Sequence, residues 1–513
     1  MPLERDEGEY AYAAQEILRG GMPYQDTFCQ KPPIIFFWYL SSFILFGQNI
    51  TGIHFMLILI SALIACGIYF VFVKLVQTGS LNEKNCFEKY LTGFMAALFF
   101  ILSSADGAYF GSAANTEIFM LLPVVFGIYQ LIIAAEKGDG KNWYLFGFLS
   151  MAAMFTKQVA LFSFLGPVIV ISLCWYLRKH LSVNAIIFTL EGAISLLSLI
   201  FLWMFICGTF KDFINDAFLH NLDYIGFPFG LIKWAGIGLL LLSRFKLHLG
   251  LWIASAICMG LTFFKKNKRE RIIYWFSSGW LFSSLLGVAL GPYTFGHYFL
   301  QILPPACILS GLLLNEILKT PKMSNNSKHL LAATAIILIC VPMIYSRLAS
   351  LKIDTGRRSL TLYSVYGTSP FSAAQEVGEY LNKKTTPDDV ILVAGSEPEI
   401  LFYANRMSAT KYTIFYPLTG NYKYADDMTN EFFREILKKL PTYIVLVYCE
   451  TSFIGSNGRI ENIYNRLENI IKKNYTEDSL VFTDNSGITF WKKTQNSFRY
   501  GSIPLFHLFK KIS

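Results

Sequence analysis

The sequence predicts an α-helical polytopic membrane protein, about ten spans plus interfacial helices, with a small C-terminal α/β soluble domain. Two observations decide the class. Of 513 residues, 54% are hydrophobic and only 15% are charged, whereas soluble chains carry about 25% charged residues. The apolar residues also come in long blocks that end near Arg347, after which the composition turns mixed. The net charge of +9 does not call for nucleic acid. The Lys and Arg residues sit in short clusters between apolar blocks, the arrangement that orients membrane spans.

In chain order, residues 1–52 form a polar and interfacial unit, 53–349 the transmembrane domain and 350–513 an extracytoplasmic α/β domain. Asp6 and Glu7 lead into an amphipathic segment, Gly8 to Leu18, then a Gly20-Gly21 turn and Lys31 before Pro32-Pro33. Pro33 to Gly47 is aromatic and apolar but short for a span, so a helix lying in the interface is expected. Blocks able to cross about 30 Å of hydrocarbon are Ile53–Val76, Tyr90–Ser104, Glu117–Ala134, Trp143–Phe155, Leu161–Leu177, Val183–Ile206, Leu251–Phe264, Ile272–Leu290, Tyr298–Ile317 and Leu330–Ser346. The chain opens on charge without a cleavable signal. Its first span begins only at Ile53, so an upstream span missing from this sequence is expected.

Alternate connections carry Lys74/Lys84/Lys89, Lys137/Lys141, Arg178/Lys179, the run Lys265, Lys266, Lys268, Arg269 and Arg271, and Lys319/Lys322/Lys328. The intervening ones, Ser103–Thr116, Thr156–Ala160, Cys207–Gly250 and Gly291–His297, are sparser in Lys and Arg. The positive-inside rule puts the denser set in the cytoplasm, which places the amino-terminal segment and everything after about Arg347 outside a plasma (inner) membrane. The nine cysteines show no CxxC and no metal or disulfide spacing; Cys29, Cys207 and Cys449 face outward and are available to pair.

The outer face then collects Asp6, Glu7, Glu9, Asp26 and Lys31; Asp106 and Glu117; Lys157 and Gln158; Asp212, Asp216, His220, Asn221 and Asp223; and Gly296-His297-Tyr298. Single acidic residues in loops are usually just solvated, and a first-turn Glu such as Glu117 also favours the helix dipole. Lys157 has almost no loop to carry it into water, so it snorkels or meets an anion. Glu191 lies deep in a span with no partner legible. Taken together, carboxylates with Lys31, Lys157 and His297 at one surface suit a reaction on a phosphate-bearing lipid. A carboxylate takes a proton from an acceptor hydroxyl, while cations hold the phosphate and stabilise its charge as it leaves. A monophosphate leaving group can be handled by Lys and His, so no cofactor and no metal site is expected, although a divalent ion is compatible with the chemistry.

Arg5-Asp6-Glu7-Gly8-Glu9-Tyr10-Ala11-Tyr12, followed by Gln30-Lys31-Pro32-Pro33-Ile34, resembles the first outer loop of the GT-C superfamily of membrane glycosyltransferases. Within it the resemblance is to the group of protein O-mannosyltransferases, lipid A aminoarabinose transferases and Rgt-like galacturonosyltransferases. Asn115-Thr116-Glu117-Ile118-Phe119-Met120, Thr156-Lys157-Gln158 and Gly296-His297-Tyr298-Phe299-Leu300-Gln301 are similar to later motifs of the bacterial branch, in family order. The resemblance implies transfer of a sugar from a polyprenyl-phosphate donor to a lipid, protein or glycan acceptor at the outer membrane face. It implies catalytic roles for Asp6, Glu7 and Glu117, with Asp6 the catalytic carboxylate and Glu7 supporting the loop or the acceptor. Lys31, Lys157, His297 and Tyr298 would bind the lipid phosphate or sugar. Two departures stand out: Gln30 replaces the Glu that aminoarabinose transferases carry before the lysine, and no span precedes the Asp-Glu pair. A transporter or flippase of lipid-linked sugars is the alternative, but transporters place polar residues near the bilayer midplane and show internal repeats, and no repeat is visible here.

After Arg347, helices are expected at Ala373–Lys384, Glu397–Asn405, Asp426–Leu440 and Arg459–Lys473. Strands are expected at 390–394, Thr413–Tyr416 and Tyr443–Tyr448, with a closing hairpin from Leu480–Thr483 and Gly487–Trp491. The Ala394-Gly395-Ser396 turn hints at phosphate binding but lacks a glycine fingerprint. A role in capping the site or gripping the acceptor fits the domain better.

Overall fold

The apolar blocks become helices because nothing else satisfies the backbone in hydrocarbon. The computed structural model describes residues 1–79, 86–178, 182–224, 231–243, 246–290, 295–320, 323–354, 370–455, 457–483, 489–492 and 503–512. Lys84, Lys179, Arg244, Lys322, the start of the Gly291–His297 connection and the turn of the closing hairpin lie outside them, as do the side chains of Arg178 and Asp223.

The helices are α1 (Arg5–Leu18), α2 (Ile34–Phe46), α3 (Ile50–Gly79), α4 (Cys86–Ser104), α5 (Thr116–Lys137), α6 (Gly140–Thr156), α7 (Leu161–Arg178) and α8 (Val183–Ile206). After them come α9 (Phe210–Ile214), α10 (His220–Tyr224), α11 (Leu231–Ser243), α12 (Leu249–Leu261), α13 (Lys268–Leu290), α14 (Leu303–Lys319) and α15 (Asn325–Asp354). All ten expected blocks are helical, and among the described residues 7 helical segments are long and apolar enough to cross a membrane. The other three blocks, in α4, α6 and α7, fall short in length or apolarity; the 17 residues of α6 reach only about 26 Å.

Helix α5 packs against α3 and α6, α6 against α8, and α7 against α13. The α6–α8 contact depends on small residues. A Cβ built on Gly147 would stand 1.9 Å from the Thr189 carbonyl oxygen, and one on Gly192 would stand 1.9 Å from that of Tyr144. Backbones that close are the usual way helices gain contact where lipid supplies no hydrophobic drive.

The C-terminal unit is a six-stranded sheet with helices. Its strands are β1 (Val390–Ala394), β2 (Met407–Ser408), β3 (Tyr443–Val447), β4 (Tyr475–Thr483), β5 (Thr489–Lys492) and β6 (Ile503–Lys511), in the order β2-β1-β3-β6-β4-β5. The β2-β1-β3 part is parallel, with Val393 beside Val445, and β6 joins antiparallel, with Leu446 beside His507. Both β1 and β3 are buried along their whole length, as strands covered on two faces must be.

Two local expectations are corrected. Thr413–Tyr416 is not a strand: Pro417 starts a short helix at Tyr416–Thr419, and Met407-Ser408 pairs with β1 instead. Proline pre-sets the helical φ and is favoured at the first turn. The amphipathic amino-terminal helix also has no free polar face. Arg5, Glu7, Glu9, Gln15 and Glu16 of α1 are all buried, because α1 lies between α2 and the C-terminal helix Glu399–Ala404. Cys29 and Cys207 are free thiols, and Cys449 Sγ lies 3.1 Å from the Thr451 hydroxyl.

Candidate functional site

The centre of the site is built where three chain segments end. Asn115 precedes α5, so Glu117 lies in its first turn, fully buried. Lys157 closes α6 with extended backbone (φ −156°), which turns its side chain back towards α5. Its Nζ donates to Glu117 Oε1 and lies 4.5 Å from the centre of the Tyr298 ring. His297 Nε2 stands 3.6 Å from the same carboxylate oxygen, and the Thr116 hydroxyl donates to the other at 3.0 Å. The lone cation of the sequence therefore meets an anion rather than snorkelling. His297 is held by rings, stacked on Phe295 at 5.6 Å and edge-on to Tyr298 at 4.8 Å.

The carboxylates of α1 divide into two kinds. Glu7 is fully engaged: its Oε2 accepts from the Glu4 N–H at 3.0 Å, and its Oε1 accepts from the Ala114 N–H at 2.7 Å and lies 3.1 Å from His54 Nε2. These bonds cap α1 and tie it to the segment that carries Glu117. Asp6 is half-buried and faces a cavity of about 310 Å³, shared with Glu4, Glu9, His297, Phe371 and Tyr416. Glu9, one turn after Asp6, is buried in the wall of the same cavity. Burial pushes its carboxyl up to about 7, although Lys31 draws it down.

A second cavity, of about 300 Å³, runs from Glu117 and Lys157 between Met154, Phe162, Phe218, Leu222 and Leu290, and its lining is mostly apolar. The two cavities share Gln30, Lys31 and Tyr298. Lys31 therefore stands at the junction of a carboxylate-lined chamber and an apolar one. Its segment is held from both sides, since its own carbonyl accepts from the Tyr24 hydroxyl at 2.7 Å and the Gln30 carbonyl accepts from Asn221 Nδ2 at 2.7 Å.

Of the predicted site residues, the structure gathers Asp6, Lys31, Glu117, Lys157, His297 and Tyr298 around these two chambers; Glu7 lines neither. Asp106 caps a 3-10 turn, accepting from the Ala108 N–H at 2.8 Å and from Ser346 Oγ at 3.2 Å. His220 packs 4.3 Å from the Tyr422 ring, at the contact with the C-terminal unit. Among the described residues no group of three or more His, Cys, Asp or Glu is placed to hold a metal ion.

Sequence reasoning missed how the C-terminal unit holds α1. The Arg5 guanidinium donates to Glu397 Oε1 at 2.8 Å, to the Tyr416 hydroxyl at 2.7 Å and to the Ser396 carbonyl. Gly8 lets α1 approach so closely that a Cβ there would lie 2.6 Å from the Glu399 backbone nitrogen. The Ala394-Gly395-Ser396 turn is occupied by these partners and by Ser452, which exchanges two hydrogen bonds with Ser396, so it offers no open cradle for phosphate. Glu9, counted in the sequence only among the outer-face carboxylates, follows Asp6 by three residues on one helix face.

No family model matches the sequence, and no curated protein matches it. Solved structures do. ArnT from Cupriavidus metallidurans in the apo state aligns with a TM-score of 0.60 over 99% of this chain and 93% of that one, at 11% identity. The same protein bound to undecaprenyl phosphate aligns with a TM-score of 0.54 over 87% and 89%, at 15% identity. The chain shares the fold of these two ArnT structures. AglB from Archaeoglobus fulgidus, an archaeal oligosaccharyltransferase in complex with an inhibitory peptide and a dolichol-phosphate, gives a TM-score of 0.51 over 98% of this chain and 72% of that one, at 11% identity. In this chain the buried Glu117–Lys157 pair and the acidic helix α1 lie at one end of the bundle, under the C-terminal sheet unit.

Proposed function

We propose that the protein is a glycosyltransferase that moves a sugar from a polyprenyl-phosphate donor to an acceptor hydroxyl at the outer face of the membrane. The observation that carries this reading is Lys31 at the shared wall of an apolar chamber and a carboxylate-lined one. A polyprenyl chain fits the first, a sugar and acceptor fit the second, and a phosphate between them meets Lys31, with Lys157 and His297 close by. The fold shared with a structure holding undecaprenyl phosphate is consistent with such a donor.

In this mechanism Asp6 takes the proton of the acceptor hydroxyl, whose oxygen attacks the anomeric carbon from the face opposite the phosphate. The bond between that carbon and the phosphate oxygen breaks, its electron pair leaves on polyprenyl phosphate, and the anomeric configuration inverts. Lys31 and the Lys157–His297 pair stabilise the departing charge. Glu117 holds that pair in place and Glu7 holds α1, so both act as positioning residues. The cationic set supports a reaction without a divalent metal. Aromatic walls, Phe28, Phe371 and Tyr416, suit the apolar faces of a sugar ring.

The test is release of polyprenyl phosphate from polyprenyl-phosphate sugars by the purified full chain. Asp6→Asn is expected to abolish release while leaving expression and thermal stability unchanged, and a chelator is expected to leave the rate unchanged. Retained transfer in Asp6→Asn would overturn the assignment of the base.

A further inference from the structure

A cavity away from the site lies at the other end of the bundle. Between Glu117 and Glu136, α5 rises about 28 Å, close to the thickness of a bilayer's hydrocarbon. Around Glu136 the ends of α3, α5, α7 and α13 leave a cavity of about 440 Å³, walled by Leu75, Ile132, Ile171, Ile273 and Phe276, with Arg269 at its rim. Two charges at this mouth are already matched, because Lys74 pairs with Glu136. Another is engaged below it: Lys265 bonds Glu270 at 3.2 Å and Glu316 at 2.5 Å. Arg269 is different. It is exposed, and no ion pair to it is found among the described residues. It also belongs to the densest basic run of the chain, with Lys266, Lys268 and Arg271 beside it.

We propose that this cavity is a binding site for an anionic phospholipid of the opposite leaflet, one acyl chain between the helices and its phosphate on the Arg269 guanidinium. Three features on the molecule choose this occupant. The walls are apolar, so an acyl chain placed between them gains by burial. The rim carries an uncompensated guanidinium suited to bidentate phosphate contact. The surrounding lysines and arginines favour a net negative headgroup over a zwitterionic one, as basic pockets between membrane helices do. The inference does not depend on the proposed transfer reaction, and none of its residues lines the two chambers of that site.

Native mass spectrometry of the detergent-solubilised full chain, titrated with phosphatidylglycerol or phosphatidylcholine, tests it. The wild-type chain is expected to retain phosphatidylglycerol at collision energies that strip phosphatidylcholine. Arg269→Ala should weaken that preference about fivefold, the contribution of one surface cation. Ala135→Phe, which fills the cavity, should lower retention of both lipids. Because the Arg269 side chain is exposed, its loss leaves folding intact even if the cavity-filling variant expresses poorly. Equal retention of the two lipids by the wild-type chain, or an unchanged preference in Arg269→Ala, would overturn the proposal.

Discussion

Replacing Arg5 by Met removes the main polar link between α1 and the C-terminal unit. Glu397 has no exposed side-chain surface and Arg5 only 11%, so the loss strands a carboxylate that water cannot reach. Breaking a buried pair from one side costs about 3–5 kcal/mol. Ser452 Oγ still donates to Glu397 Oε2 at 2.6 Å, which places the loss near the lower end, about 3 kcal/mol. That corresponds to a little over a hundredfold in the equilibrium for releasing α1. Hydrogen exchange of the α1 amides in a lipid nanodisc reads this directly, and exchange over Arg5–Leu18 should accelerate by that order in Arg5→Met. The double variant Arg5→Met with Glu397→Gln leaves no unpaired charge and should recover part of the protection, a coupling of about 0.5–3 kcal/mol. Transfer should fall in the single variant, because Asp6 is the next residue on the released helix. Unchanged α1 exchange in Arg5→Met, or a double variant less protected than either single one, would refute the reasoning.

Three further outcomes follow from the geometry. Gly8→Ala would raise helix propensity by about 1 kcal/mol, yet its Cβ would lie 2.7 Å from Glu399 Cβ; a net loss of about 1–3 kcal/mol should appear as a lower midpoint of thermal unfolding. Lys157→Met leaves the buried Glu117 with the Thr116 hydroxyl and His297 beside it and should cost about 3 kcal/mol, the lower end for a broken buried pair; adding Glu117→Gln should restore the unfolding midpoint but not polyprenyl phosphate release. Glu9, its carboxyl pushed up to about 7 by burial from an ordinary 4.5, holds a proton in the folded state that the unfolded chain has already lost. Its contribution is therefore complete below pH 4.5 and disappears as pH rises through 7, an effect of up to about 3 kcal/mol. Glu9→Gln should flatten the fall of the unfolding midpoint between pH 5 and 7, while Asp216, pushed up to about 8 by burial, sustains a slope at higher pH.

The helices of the bundle were legible because apolar length and charge placement are local properties: the blocks from Ile53 to Ser346 all fold as helices, and the basic run at 265–271 stands at the end away from Glu117. The site was legible as a set of residue types, since Asp6, Lys31, Glu117, Lys157, His297 and Tyr298 each stand in a short recognisable motif. Which of them touch was not. Lys157 and Glu117 are 40 positions apart, and only the packing of α5 beside α6 decides that the lysine pairs instead of snorkelling. The same limit hid the function of Glu7, whose partners Ala114 and His54 lie on other segments, and the place of β6, which becomes central only once β3 and β4 pair on either side of it. It hid Arg5 most completely, because Glu397 lies 392 residues away. Sequence alone determines which segments enter the membrane and which residues can do chemistry. Tertiary structure decides which buried charge neutralises which, because desolvation makes each one depend on a neighbour supplied from elsewhere in the chain.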